Sequence, residues 1–158
     1  ADYASTSARG ATIYSLREGT AKDLQRSARG EVTEDVLNAR ELDGIRRNDG
    51  DVTVVRNMLA GLAMREVAAN KGRSNLFTRS VIEYMGASTD LMANPDREAN
   101  FRVLKSAKTP SVLIELAYVT NRQDALNLKS DQWRDRVSSS ILTAIKNYFS
   151  HQAARLPM

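Results

Sequence analysis

The stretch TPSVLIELAYVTN, residues 109–121, sets one carboxylate, Glu115, inside an otherwise apolar run. Pro110 biases the preceding Thr109 towards extended backbone and opens a strand. Val112, Leu113, Ile114 and Leu116 are apolar on both faces, so residues 111–117 read as a central strand buried on both sides of an α/β sheet. Glu115 stands near the C-terminal end of that strand, the edge at which open α/β sheets bind ligands. A buried carboxylate without a partner is costly, so it must meet a cation, a metal or a wet cleft. Two readings stand side by side. One is a structural ion pair with one of the 23 lysines and arginines. The other is a general base in a reactive cleft.

Working outward, Thr120 and Gln123 have the spacing of a capping box for a short helix over NRQDALNL, residues 121–128. Trp133, Val137, Ile141, Ala144, Ile145, Tyr148 and Phe149 fall on one stripe, which predicts a helix over 130–149 packed on the sheet. At the other end, ARGATIYSLREG, residues 8–19, carries the β-formers Thr12, Ile13 and Tyr14 between glycines and predicts a strand of about six residues. Residues 20–47 are polar and rich in helix formers. Val32, Val36, Leu37 and Ile45 give one or two short amphipathic helices broken by Gly30 and Gly44. NDGD, residues 48–51, reads as a turn with Asp51 as a helix cap. Val52, Val55, Met58, Leu59 and Leu62 recur at helical spacing, and Gly72 reads as the stop. A further helix starts at Ser74, buries Leu76, Phe77, Val81, Ile82, Tyr84 and Met85, and ends at Gly86. Residues 87–100 are polar, contain Pro95 and read as a loop. Residues 101–108 read as a short strand or extended segment with Phe101, Val103 and Leu104 packed inward.

The chain has 158 residues, one domain's worth, with 42% hydrophobic and 27% charged residues, as in a globular protein. No apolar run approaches a membrane span. No signal-peptide core is present, so an export signal is expected outside this chain. With no cysteine, disulfides and thiolate metal sites are excluded. The net charge of +4 is mild and mixed along the chain. Arg40, Arg46 and Arg47 are interrupted by Glu41 and Asp43, which argues against a nucleic-acid face. A mild basic excess suits an anionic polymer such as a bacterial wall. The single His151 makes a poor metal site alone. Met58, Met64, Met85 and Met92 read as core filler, and Tyr118 as packing or as a pocket wall.

The run from Lys108 to Phe149 resembles the C-terminal end of the zinc-dependent N-acetylmuramoyl-L-alanine amidases of the amidase-3 type, bacterial cell-wall hydrolases. Their pattern is Pro, an apolar strand, Glu, two small or apolar residues, an aromatic, an aliphatic, Ser or Thr, then Asn. Here it is met by Pro110, residues 112–114, Glu115, Leu116, Ala117, Tyr118, Val119, Thr120 and Asn121. The resemblance implies an α/β fold: a three-layer, mostly parallel twisted sheet flanked by helices, phosphorylase/hydrolase-like. Residues 1–158 would be the C-terminal half of one catalytic domain, beginning at Ala1 and Asp2 just after the third zinc-ligating histidine. It also implies Zn2+ as cofactor, with its main ligands outside this chain, and Glu115 as the carboxylate beside the metal site. Peptidoglycan is the implied substrate. The cleaved bond joins N-acetylmuramic acid to L-alanine of the stem peptide, in a periplasmic or extracellular setting. Residues 20–95 resemble an inserted helical segment that covers the site until an activator of the LytM-like type displaces it. In such members an acid from the insert occupies the open metal position; Glu31, Glu34 and Glu41 are candidates by position, and Glu34 is the choice. The strip Val55, Leu59 and Leu62 is then core or a docking face. Two other classes remain: a non-catalytic wall-binding or regulatory fragment lacking the metal ligands, and, more distantly, a basic nucleic-acid binder.

Overall fold

A computed structural model describes residues 7–35, 39–47, 52–106 and 108–153, with backbone alone at 28–35, 39, 42, 152 and 153. Three strands form one sheet: β1 (Ala11–Leu16), β2 (Leu91–Ala99) and β3 (Leu113–Glu115). Their order is β2-β1-β3. β1 runs parallel to β2 and antiparallel to β3, so the sheet is mixed. Five helices accompany it: α1 (Glu18–Asp35), α2 (Ala39–Arg47), α3 (Val52–Gly86), α4 (Arg122–Lys129) and α5 (Asp131–Ala153). The α/β class, the β1 strand and the amphipathic last helix are as the sequence predicts.

Alternation along β1 sends Ile13 to one face and Tyr14 and Leu16 to the other. On the first face, Ala11 and Ile13 pack with Val81 and Met85 of α3 and with Trp133, Val137 and Ala144 of α5. The Trp133 indole donates to Thr89 Oγ1 at 3.1 Å, and Ser80 Oγ donates to the Ala144 carbonyl at 3.2 Å. On the second face, Leu16, Ala21 of α1 and Leu104 form a smaller cluster with Tyr14, Leu24 and Leu113. Helices therefore flank the sheet on both sides.

Several local expectations are corrected. The two helices separated at Gly72 are one helix of 35 residues, about 50 Å long. A Cβ at Gly72 would meet nothing within 4 Å. The glycine costs roughly 1 kcal/mol against alanine, which the burial of α3 along its length outweighs. α1 and α2 likewise run through Gly30 and Gly44. Residues 87–100 are not a loop, because β2 occupies most of them. Ala11 pairs with Leu91, yet Ile13 pairs with Asp96, so the stretch holding Pro95 bulges out of the ladder. An edge strand tolerates a proline in such a bulge. Residues 101–108 form no strand. Arg102–Leu104 is a 3-10 turn that buries Leu104 and leaves Phe101 and Val103 exposed. β3 is shorter than 111–117 and, among the described residues, lies at the sheet's edge rather than its centre. β1, paired on both sides, takes the central place. The turn at 48–51 lies outside the described residues. Met85 is core, whereas Met58 and Leu62 are exposed.

Lys71, in the middle of α3, fastens the far end of β1. Its Nζ donates to the Leu16 carbonyl at 2.7 Å and to Glu98 Oε1 at 2.8 Å, and lies 3.4 Å from Glu18 Oε2. The hydrogen bond from Lys71 holds the Glu98 carboxyl below its ordinary 4.5, helped by the Glu18 N–H. A depressed carboxylate adds stability that is present above the unfolded value and lost as pH falls through the folded one. Thermal midpoints should therefore drop on acidification below pH 4.5, and less steeply in Glu98→Gln. An acid profile identical in that variant would contradict this role.

Candidate active site around Glu115

The β1–β3 register sets Thr12 opposite Glu115 and Tyr14 opposite Leu113. Paired residues share a face, so Thr12, Tyr14 and Glu115 lie on the side away from the Ile13 core. Tyr14 Oη donates to Glu115 Oε2 at 3.2 Å. The Tyr14 ring meets Phe101 edge-on with centroids 5.2 Å apart. The hydroxyls of Thr12 and Tyr118 both approach the Met92 sulfur, at 3.5 and 3.8 Å. Met92 is thus part of this cluster rather than filler. Arg97 sits opposite Tyr14 in the β1–β2 ladder.

Burial first, and then the negative charge of Glu115, push the Tyr14 hydroxyl up to about 12. Tyr118 and the hydrogen bond to Glu115 act in the same direction, and Arg97 opposes them. Among the described residues, no lysine or arginine forms an ion pair with Glu115. The structural ion-pair reading of that acid therefore finds no partner there. Glu115 is half-buried, with Oε2 held by a phenol. A carboxylate so placed can accept a proton from a water or a substrate group.

The loop after Glu115 is held by Asp124, a residue of α4. Asp124 is 4% exposed, and its Oδ2 accepts from the N–H of Gly10 and from the N–H of Tyr118, each at 2.9 Å. Gly10 has φ +86°, and a Cβ there would come 2.8 Å from the Leu91 carbonyl carbon. Only glycine fits that approach without strain. The helix cap is Asn121 rather than Thr120: its side chain accepts from the N–H groups of Gln123 and Asp124. The only sequence signal for Asp124 is an acid in the first turn of a capped helix. Its partnership with Gly10, 114 residues away, leaves no local trace.

The other candidates lie elsewhere. Glu34 is in the last turn of α1 and Glu31 one turn before it; their side chains lie outside the described residues. Glu41 is exposed on α2. His151 is exposed near the end of α5, its Nδ1 2.8 Å from the Asn147 carbonyl. It lines a hollow between α3 and α5 with Arg79 and Glu83, away from Glu115. Among the described residues, no group of three histidine, cysteine, aspartate or glutamate side chains could hold a metal. The residues described therefore do not make a zinc site. No described helix is long and apolar enough to cross a membrane.

Asp124→Ala should lower unfolding free energy by about 3 kcal/mol, because two buried N–H groups lose their acceptor. Denaturant titration measures this, and a loss under about 0.5 kcal/mol would contradict it. Tyr14 should appear in ultraviolet titration as a tyrosine ionising at about 12, absent in Tyr14→Phe and lowered in Glu115→Gln. Since the folded value is raised, this stability is fully present below 10 and is lost as pH climbs to about 12. A Tyr14 midpoint unmoved by Glu115→Gln would deny the coupling.

Residues 1–147 match the N-acetylmuramoyl-L-alanine amidase family, Amidase_3. The N-acetylmuramoyl-L-alanine amidase AmiC of Escherichia coli O6:H1 is 32% identical over 116 residues, covering 73% of this chain and 27% of its own. The AmiC of Neisseria meningitidis serogroup B is 27% identical over 148 residues, covering 94% of this chain and 34% of its own. The chain thus spans about a third or less of these relatives' length. The catalytic domain of CwlV, an N-acetylmuramoyl-L-alanine amidase from Bacillus (Paenibacillus) polymyxa var. colistinus, superimposes with TM-score 0.51 at 16% identity. That match covers 95% of this chain and 54% of CwlV's, and speaks for the fold alone. With its motif around Glu115 and a match over residues 1–147, the chain belongs to the N-acetylmuramoyl-L-alanine amidase family.

Proposed function

We propose that residues 1–158 form the C-terminal portion of the catalytic domain of a peptidoglycan hydrolase. The bond cleaved is the amide between N-acetylmuramic acid and L-alanine of the stem peptide, and Glu115 is the general base. The carrying observation is Glu115 itself: it ends β3 within the family motif, is held by a neutral phenol, and has no basic partner among the described residues. In this reading water adds to the amide carbonyl carbon and its proton passes to Glu115. Glu115 then returns a proton to the alanine nitrogen as the C–N bond breaks.

Zinc dependence belongs to the same proposal, with the metal's ligands supplied by sequence outside these 158 residues. So do an exported, periplasmic or extracellular setting and control by the helical segment 20–95. That segment holds most of α1, all of α2 and α3, and the first residues of β2. In this reading it covers the site, Glu34 is the blocking acid, and a LytM-like activator relieves the block. A second reading, a wall-binding or regulatory fragment without catalysis, is favoured by the lack of a three-donor metal group among the described residues. Stoichiometric zinc in a longer form of the protein, but not in this chain, separates the two.

In the longer, active protein, Glu115→Gln should keep its fold and zinc content and lose at least about 100-fold in peptide release from purified sacculi. Near-normal turnover by a folded, zinc-replete variant would refute the role.

A further inference from the structure

We propose that Tyr14 is the positioning residue for Glu115, fixing the carboxylate through Oε2 and leaving Oε1 for the reacting groups. This rests on the reading of Glu115 as the general base. Three observations carry it.

The first is register. β1 and β3 are antiparallel, and Thr12 is the residue directly opposite Glu115. Tyr14 stands two residues further along β1 on the same face, a diagonal neighbour within reach of a long aromatic side chain. Its hydroxyl donates to Oε2 at 3.2 Å. Among the described residues Oε1 has no hydrogen-bond partner.

The second is rigidity. The Tyr14 ring is seated edge-on against Phe101 at 5.2 Å, and its backbone is paired on both sides, to Leu113 and to Arg97. A donor anchored on a central strand holds its acceptor in one orientation better than a loop residue does.

The third is protonation. A general-base partner must remain a donor throughout the working pH range. The groups facing Tyr14 are Glu115, Tyr118 and Arg97, and burial with the Glu115 charge keeps the phenol protonated up to about 12. Tyr14 therefore donates to Oε2 without competing for the proton that Glu115 takes.

The test uses the longer, active protein with purified sacculi as substrate, and four forms: wild type, Tyr14→Phe, Glu115→Gln and the double variant. Tyr14→Phe retains the ring against Phe101, so its thermal midpoint should stay near wild type. Its kcat should fall about tenfold with KM unchanged. The double variant should be no slower than Glu115→Gln alone, since Tyr14 acts through Glu115. Tyr14→Phe with wild-type kcat, beside an inactive Glu115→Gln, overturns the inference while the Glu115 reading stands. An active Glu115→Gln overturns both. A double variant slower than Glu115→Gln overturns the inference by giving Tyr14 an independent role. If Tyr14→Phe fails to fold, Tyr14→Trp, which keeps an aromatic ring without the hydroxyl, takes its place, and failure of both assigns Tyr14 to the core instead.

Discussion

One carboxylate oxygen ties this fold together. Oδ2 of Asp124 accepts from two backbone N–H groups, Gly10 before β1 and Tyr118 after β3. Both donors stand at strand ends, and a buried N–H that loses its acceptor costs as much as a lost hydrogen bond. Gly10 has a positive φ, and its backbone packs so close to Leu91 at the start of β2 that a Cβ would not fit. The starts of β1 and β2 thus lie side by side, and the start of β1 and the end of β3 meet the first turn of α4 at a single carboxylate. Its negative charge lies in the first turn of α4, where the helix dipole favours an anion.

The site depends on that arrangement. With Gly10 and Tyr118 fixed to one acceptor, β1 and β3 have one register, Thr12 opposite Glu115, and Tyr14 falls within reach of Oε2. A slip of one residue would turn Glu115 towards Ile13, Val81 and Val137. At the other end of β1, Lys71 holds the Leu16 carbonyl and ties α3 to β2 through Glu98. The central strand is therefore clamped at both ends, while its two faces are filled by α3 and α5 on one side and by α1 on the other. The long helix sets where Lys71 stands, so α3 is tied to the sheet at that end of β1.

Much of this was legible in the sequence, for physical reasons. The β1 strand and the α5 stripe rest on local periodicity, which needs no knowledge of partners. Glu115 was legible because a single acid in an apolar strand has few explanations. What escaped needed long-range information. Gly72 resembles a helix stop, but burial of α3 on both sides of it outweighs a small propensity cost. Pro95 argues against a strand until the bulge between its pairings to Ala11 and Ile13 is known. Asp124 and Tyr14 are ordinary residues locally; their roles come from partners 114 and 101 positions away.

The central claim is that the face shared by Tyr14 and Glu115 is where the amide is cleaved. The most direct measurement is a crystal structure of the longer protein, as its Glu115→Gln variant, with an N-acetylmuramoyl-L-alanyl peptide bound. The account predicts the scissile amide beside side chain 115, with Tyr14 still hydrogen-bonded to that side chain. A peptide seated instead in the hollow between α3 and α5, or on any surface remote from β3, would contradict it.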